Sequence, residues 1–559
     1  MNEYAILHVM DSEYAYTSSE HDISIRLRCA KGDLKEAWIC YESKYRIAGK
    51  HIKKPMKKIF EGRLFDYYGI DLHVRDVRFA YVFYLFDGRE YKYYSEDGLT
   101  DTYDFTQGYY NFFQYPYINS TDVIRDVEWM HSARFYQIFV DRFNIGNKDK
   151  DMSYVNLKWG GRPTPKSFAG GDLNGIREKL DHIRSLGINA IYLTPIFSST
   201  SNHKYNISDY YTVDSQFGTN GDLKELVKAC HEKGIRILLD AVFNHCGEQL
   251  PQFEDVCKKG RKSKYYDWFI IDGDKPDKKK HNYEVFAFCD YMPKLNTSNP
   301  DVVKYFTDVA VHYITEYGID GWRLDVSDEV SHTFWREFRS AVKSAKPDAV
   351  IIGENWHNAS NYLKGDQYDS IMNYSFTKCC LDFFGKRSID ADMMAMRLND
   401  ILARNNNVVN DMMLNLLDSH DTSRFFTEVS EDKDTFMNGL CLLYLFPGAP
   451  CILYGTELMT PGGGDPDCRR CMDWEKARTA KQSEVFALIK KLAALREKYV
   501  FLTKDARIYS ENGLLILEYK KARTNIALIV NNTPKKKKCT YGDVEAHGRK
   551  LLLNTKLFL

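Results

Sequence analysis

The 559-residue chain has no excess of either charge, since 77 Lys and Arg balance 77 Asp and Glu. It therefore lacks the electrostatic footprint that nucleic acid or an anionic membrane would require. Nor does it have the uninterrupted apolar span of about 20 residues that a membrane helix needs. The most apolar run, GLCLLYLFPGAPCILYG (439–455), is broken by Pro447 and Pro450 and reads as the end of a buried helix followed by a buried strand. No glycine-rich turn follows an apolar strand, and no Walker loop, HExxH helix, serine nucleophile elbow or paired CxxC set occurs. Those absences remove dinucleotide, nucleotide-hydrolysing, zinc-peptidase and serine-hydrolase chemistry. CRRC (468–471) stands alone and reads as structural. The 13 cysteines follow no regular spacing, and the opening MNEYAILHVMDSEY shows neither a basic nor a long apolar segment. The expectation is a cytoplasmic protein with free thiols and no secretion signal.

Aromatic residues are abundant at 14%, with 39 Tyr and 32 Phe. Such rings pack cores and also stack on flat apolar ligand faces. Residues 1–125 carry short alternating segments (ISIRLRCA, EAWICYE, RFAYVFYLFDG, REYKYYS) between turns, the pattern of an N-terminal β-sandwich. QGYYNFFQYPY (107–117) reads as an aromatic linker leaving it. Residues 126–500 alternate apolar strands with amphipathic helices. The strands are ARFYQIFV, INAIYLTPIF, IRILLDAVFNH, GWRLDV, AVIIGEN, YDSIMNY, MMLNLLDSHD and APCILYG. Eight strands with helices between them imply an α/β fold, a parallel (β/α)8 TIM barrel. A doubly wound sheet is the competitor, but the dinucleotide turn is missing. Residues 246–298 are too long for a simple loop and imply a small inserted domain after the third strand. Residues 501–559 return to short strands, a C-terminal β domain in which KKKK (535–538) is taken as a solvated loop.

The stretch GIDGWRLDVSDEV (318–330) places Arg323 and Asp325 on one face of a strand whose other face holds Trp322, Leu324 and Val326. A charged pair there is costly without a task, although in isolation it would be read as a structural ion pair. In a barrel, the C-terminal strand ends converge on one mouth. Those ends supply Asp240, Asn244 and His245, then Arg323 and Asp325, Glu354, and His420 with Asp421. Four carboxylates with two histidines and an arginine, in an aromatic-rich chain without a cofactor motif, point to glycoside hydrolysis.

These segments resemble the α-amylase family of glycoside hydrolases, and most closely its cyclomaltodextrinase, neopullulanase and maltogenic-amylase branch. The blocks DAVFNH (240–245), MPKLN (292–296), GWRLDV (321–326), GENW (353–356) and LLDSHD (416–421) occur in the family's order. HKYNISDYY (203–211) and GGGDPDCRRCMDW (462–474) resemble the branch as well. The resemblance implies Asp325 as nucleophile, Glu354 as general acid/base and Asp421 as the acid that binds and distorts the sugar. Arg323 would keep Asp325 ionised, and the charge of Asp421 would raise the pKa of Glu354. Asp240 joins the cluster, and His245 and His420 would bond sugar hydroxyls as neutral rings. Tyr205 or Tyr210 would stack on the sugar. Trp356, Phe286 and Tyr374 would line the aglycone side, with Asp465 and Arg469 closing the glycone side.

The family also holds calcium in the loop after the first strand, which here implicates Asn147, Asp151, Gly170 and Asp172. Ile145 and Lys150 stand where oxygen ligands belong, and a lysine opposes a cation. No cofactor is therefore expected to be required. Asp328 precedes Glu329 where the branch carries Asn–Glu, which bears on substrate preference. By analogy with the branch, the N-terminal module packs over the barrel mouth of a partner in a homodimer. The substrates implied are cyclodextrins, maltooligosaccharides, pullulan and starch. The competing readings are a starch-preferring amylase or α-glucosidase, and a catalytically inactive carbohydrate-binding protein.

Overall fold

The computed structural model describes residues 1–47, 49–106, 111–521 and 524–559. Its centre is an eight-stranded parallel sheet. We label the strands β1 (Phe135–Ile138), β2 (Ala190–Leu193), β3 (Arg236–Ala241), β4 (Gly321–Leu324), β5 (Val350–Gly353), β6 (Ser370–Ile371), β7 (Leu414–Leu416) and β8 (Ala449–Leu453). The spatial order runs β6-β5-β4-β3-β2-β1-β8-β7, and an isolated parallel bridge between Met372 and Leu414 joins the two ends. The sheet thus closes into the TIM barrel expected from the strand count.

Strand alternation sends side chains into two separate cores. On β2, Ala190 and Tyr192 fall in the barrel interior with Leu238, Ile352, Met372 and Leu414, whereas Ile191 and Leu193 join the larger core under the helices. On β4 the outward residues Trp322 and Leu324 are fully buried, and the inward ones are Gly321 and Arg323. This strand therefore offers the interior no apolar side chain, only a guanidinium.

The helices follow their sequence signals. Thr219 and Asp222 form a capping box at the start of Asn220–Glu232. Asn299 caps Pro300–His312, whose Val302, Phe306 and Val309 are fully buried. The segment 172–187 is interrupted at Lys179 into Leu173–Glu178 and Leu180–Ser185 rather than forming one helix.

The N-terminal strands form two antiparallel sheets, one led by Asp22–Ala30 and Phe65–His73 and one by Glu36–Ser43 and Phe79–Phe86. The linker reading of 107–117 needs correction: residues 107–110 lie outside the described residues, and Phe113–Tyr115 pairs with Phe79–Phe86 as a further strand. Between β3 and Pro300, the helix Pro251–Lys259 and bridges such as Val285 to Pro293 form the expected insertion. The C-terminal part is a five-stranded antiparallel sheet with a hairpin, and Lys537 and Lys538 begin a hairpin strand instead of a loop. Among the described residues no helix is long and apolar enough to cross a membrane.

β4 and β5 pack too closely for a side chain at Gly321, where a Cβ would lie 2.2 Å from the Val350 carbonyl oxygen. Gly321→Ala is expected to cost about 3 kcal/mol or more, read as a lowered urea midpoint. An unchanged midpoint would show that the two strands can separate freely.

Candidate active site

Parallel pairing places Asp240 of β3 beside Arg323 of β4. The chain then leaves the sheet in step, Asp325 N donating to Ala241 O and Glu354 N to Leu324 O. Three carboxyls consequently meet one guanidinium. Arg323 Nη1 lies 2.7 Å from Asp325 and 3.0 Å from Asp240, and Nη2 lies 2.8 Å from Glu354. All four residues are buried.

Val326, directly after Asp325, has φ of +44°. A β-branched residue in that region is strained. The turn aims the Val326 N–H at Glu354 Oε2, 3.0 Å away, while the Trp356 indole donates to Glu354 Oε1 at 3.2 Å. The expectation that Val326 continues the apolar face of β4 therefore fails, because the chain turns at that residue.

Burial raises Asp325 well above the usual carboxylate range, with Arg323 opposing and Glu354 and Asp240 adding to the rise. Burial likewise lifts Asp240 to about 6 against the pull of Arg323. Three acids against one fixed positive charge repel one another when all are ionised, which favours a proton shared within the cluster.

Asp421 is held at the opposite rim. Arg469 Nη2 lies 3.1 Å from it and Nη1 lies 2.9 Å from Asp465, so one arginine bridges the two acids. Arg469 Nε also donates to the His420 carbonyl at 2.7 Å. Gln137 Nε2 lies 2.6 Å from His420 Nδ1, and His420 Nε2 lies 2.6 Å from the Tyr205 hydroxyl. With the amide donating into Nδ1, the ring proton belongs on Nε2, and Tyr205 is free to donate to Asp240 at 3.0 Å. Burial depresses His245 to about 3 and, reinforced by Arg469 and Arg323, holds His420 well below the usual histidine range. Both rings are neutral. His245 Nε2 is buried without a hydrogen-bond partner among the described residues and lies 4.0 Å from Asp325.

The aromatic candidates separate clearly. Tyr205 stands parallel to His420 in the cluster. Tyr210 is fully buried, donates to the Val242 and His245 carbonyls and packs against Phe306, so it supports the β3 loop and cannot stack on a ligand. Phe286 stacks on His245 at 4.6 Å. Trp356, 43% exposed, stacks at 3.9 Å on the buried Tyr374. Tyr374 is thus a base for Trp356 rather than an exposed platform.

The implied calcium ligands do not converge. Asp151 accepts from Ser153 N and Oγ, and Asn147 Oδ1 accepts from Asp149 N. Gly170 O and Asp172 do meet, around the Lys150 ammonium. Among the described residues no group of three or more His, Cys, Asp or Glu side chains could hold a metal ion.

Two members of the cluster escaped the sequence reading. Tyr192 donates to Asp240 at 2.7 Å, and Gln137 orients His420. Gln137 interrupts an apolar strand just as Asp240 does, a signal that was there to be used. Tyr192 carried no such signal, because a tyrosine in a strand is ordinary core.

Residues 137–505 match the family described as "Alpha amylase, catalytic domain", and residues 1–119 match "Alpha amylase, N-terminal ig-like domain". The chain is 43% identical over 561 residues to a protein named cyclomaltodextrinase from Thermoanaerobacter pseudethanolicus, covering 100% of this chain and 96% of the relative. It is 40% identical to neopullulanase 2 of Thermoactinomyces vulgaris, covering 89% of this chain and 85% of that one. A solved structure named cyclomaltodextrinase superposes with a TM-score of 0.92 at 39% identity, covering 96% of this chain and 92% of that chain.

Because His245 is already neutral, His245→Gln removes a hydrogen-bonding ring without changing the charge of the cluster. In the pH profile of kcat/KM for hydrolysis of an α-glucan, the variant is expected to lose about 10-fold or more in rate. The acid limb should keep its position. An acid limb that moved with this substitution would mean that His245 itself titrates.

Proposed function

The chain belongs to the α-amylase family of glycoside hydrolases, and from that premise we propose that it cleaves α-1,4-glucosidic bonds with retention of configuration. Its proposed substrates are cyclodextrins, maltooligosaccharides, pullulan and starch, with α-1,6 bonds as a further target. The observation that carries this reading is the single guanidinium shared by Asp325 and Glu354. A retaining glycosidase needs two carboxyls about 5–5.5 Å apart, one ionised and one protonated. A planar group bridging both is a spacer of that order.

In the proposed double displacement, Asp325 attacks the anomeric carbon while Glu354 gives its proton to the departing glycosidic oxygen. Glu354 then takes a proton from water, and that water releases the sugar from Asp325. Arg323, 2.7 Å from Asp325, stabilises the nucleophile's charge before the attack and again as the carboxylate is released. Asp421, fixed by Arg469, would bind the sugar at the cleaved bond together with His245 and His420. Tyr205 is the proposed stacking platform, and Phe286 and Trp356 lie where an aglycone chain would run.

Two further proposals concern the setting of the protein. The exposed rings Tyr45, 75% accessible, and Phe288, 99% accessible, support a homodimer in which the N-terminal module covers the partner's barrel mouth. The thirteen unpaired cysteines support a reducing, cytoplasmic location.

Products from β-cyclodextrin, pullulan and soluble starch, separated by chromatography and with their anomeric form followed by NMR, test the function. Wild type is expected to open the cyclodextrin to maltose and glucose with retention. Asp325→Asn should lower kcat about 10⁴-fold or more. Failure of the wild type on all three substrates would leave a carbohydrate-binding protein as the better reading. Sedimentation should give twice the mass of one chain; a monomer would remove the dimer proposal alone.

A further inference from the structure

We infer that the Lys150 ammonium takes the place of the divalent cation that the family resemblance implies, tying together the loops around the site as an internal cation. The ammonium donates to Gly170 O and to Gln216 O, each at 2.7 Å, and pairs with Asp172 Oδ2 at 3.0 Å. These three acceptors use all three of its protons. Its side chain is 7% exposed, with its Nζ 5.9 Å from the centre of the Tyr154 ring.

The neighbouring donors leave nothing for a metal to bind. Asp172 Oδ1 accepts from Gly175 N at 2.7 Å and Gly146 N at 3.0 Å, and Oδ2 accepts from Asn147 N at 3.1 Å as well as meeting Lys150. Four donors fill the roughly four lone-pair sites of a carboxylate. Calcium asks for about six to eight oxygens, and Asn147 and Asp151 are engaged within their own turns. A dication would also have to enter beside a fixed positive charge. An ammonium is satisfied by the three oxygens that the fold offers.

Three segments meet at this point: the loop holding Lys150 after β1, the 164–172 turn, and residues 214–218. Gln216 extends the tie towards the catalytic cluster, because its Oε1 accepts from Lys204 Nζ at 2.6 Å. Lys204 is fully buried, pairs with Asp214 at 2.9 Å and precedes Tyr205, whose hydroxyl reaches Asp240 and His420. The tie thus runs from Lys150 through Gln216 to Lys204, the residue before Tyr205.

The test uses the full-length protein, dialysed against EDTA, with and without millimolar calcium chloride, and reads binding and melting instead of activity. It stands apart from the proposed reaction, since neither readout depends on glycoside cleavage. For wild type, isothermal titration with calcium should show no binding, and Tm should differ by less than about 1 °C between the two conditions. Lys150→Met should lower Tm by about 5 °C, with calcium making no difference. Calcium binding to wild type, or a Met variant that melts like wild type, would overturn the inference. The wild-type titration holds even if a variant fails to fold.

Discussion

Everything in the site is arranged about one buried positive charge. Arg323 projects into a barrel interior lined mainly by apolar and aromatic side chains, and its charge is compensated there by carboxylates. Asp240 lies level with it on the neighbouring strand, and Asp325 and Glu354 stand just beyond the ends of their own strands. The parallel register of β3, β4 and β5 is thus what brings three acids to one guanidinium. Removing the arginine would leave three buried acids facing each other, which is why its place in the fold and its place in the chemistry cannot be separated.

The rest of the molecule holds that cluster still. Gly321 lets β4 lie against β5, and without that closeness Arg323 could not span from Asp240 to Glu354. The left-handed turn at Val326 is a local cost that aims an N–H at Glu354. Around the rim, Arg469 locks Asp421 to Asp465, and the chain Gln137–His420–Tyr205–Asp240 sets a direction for each proton in the wall. Most of the cleft's charged and polar groups are already paired before a sugar arrives, with His245 Nε2 left open among the described residues.

The sequence is most legible where a polar side chain interrupts an apolar strand. Asp240, Arg323 and Glu354 all stand out that way, and Gln137 carries the same signal. Aromatic residues were harder. Tyr205 and Tyr210 lie five positions apart in one segment, and nothing in their spacing says that one hydroxyl reaches Asp240 while the other is spent on backbone carbonyls. Tyr374 likewise carries no mark that it supports Trp356 from beneath.

By itself the sequence determined the barrel, through eight apolar strands alternating with amphipathic helices, and the identity of the charged residues at the strand ends. Strand alternation and helix periodicity are local properties, so local order suffices to reveal them. The tertiary structure decided which tyrosine enters the cleft, which acids share the arginine, and that Asp151 turns towards Ser153 while Lys150 reaches Asp172. Apart from the local Asp151–Ser153 turn, those outcomes depend on contacts between segments tens to hundreds of residues apart. Hydrogen-bond partners at such separations are set by packing and register, which no short window of sequence contains.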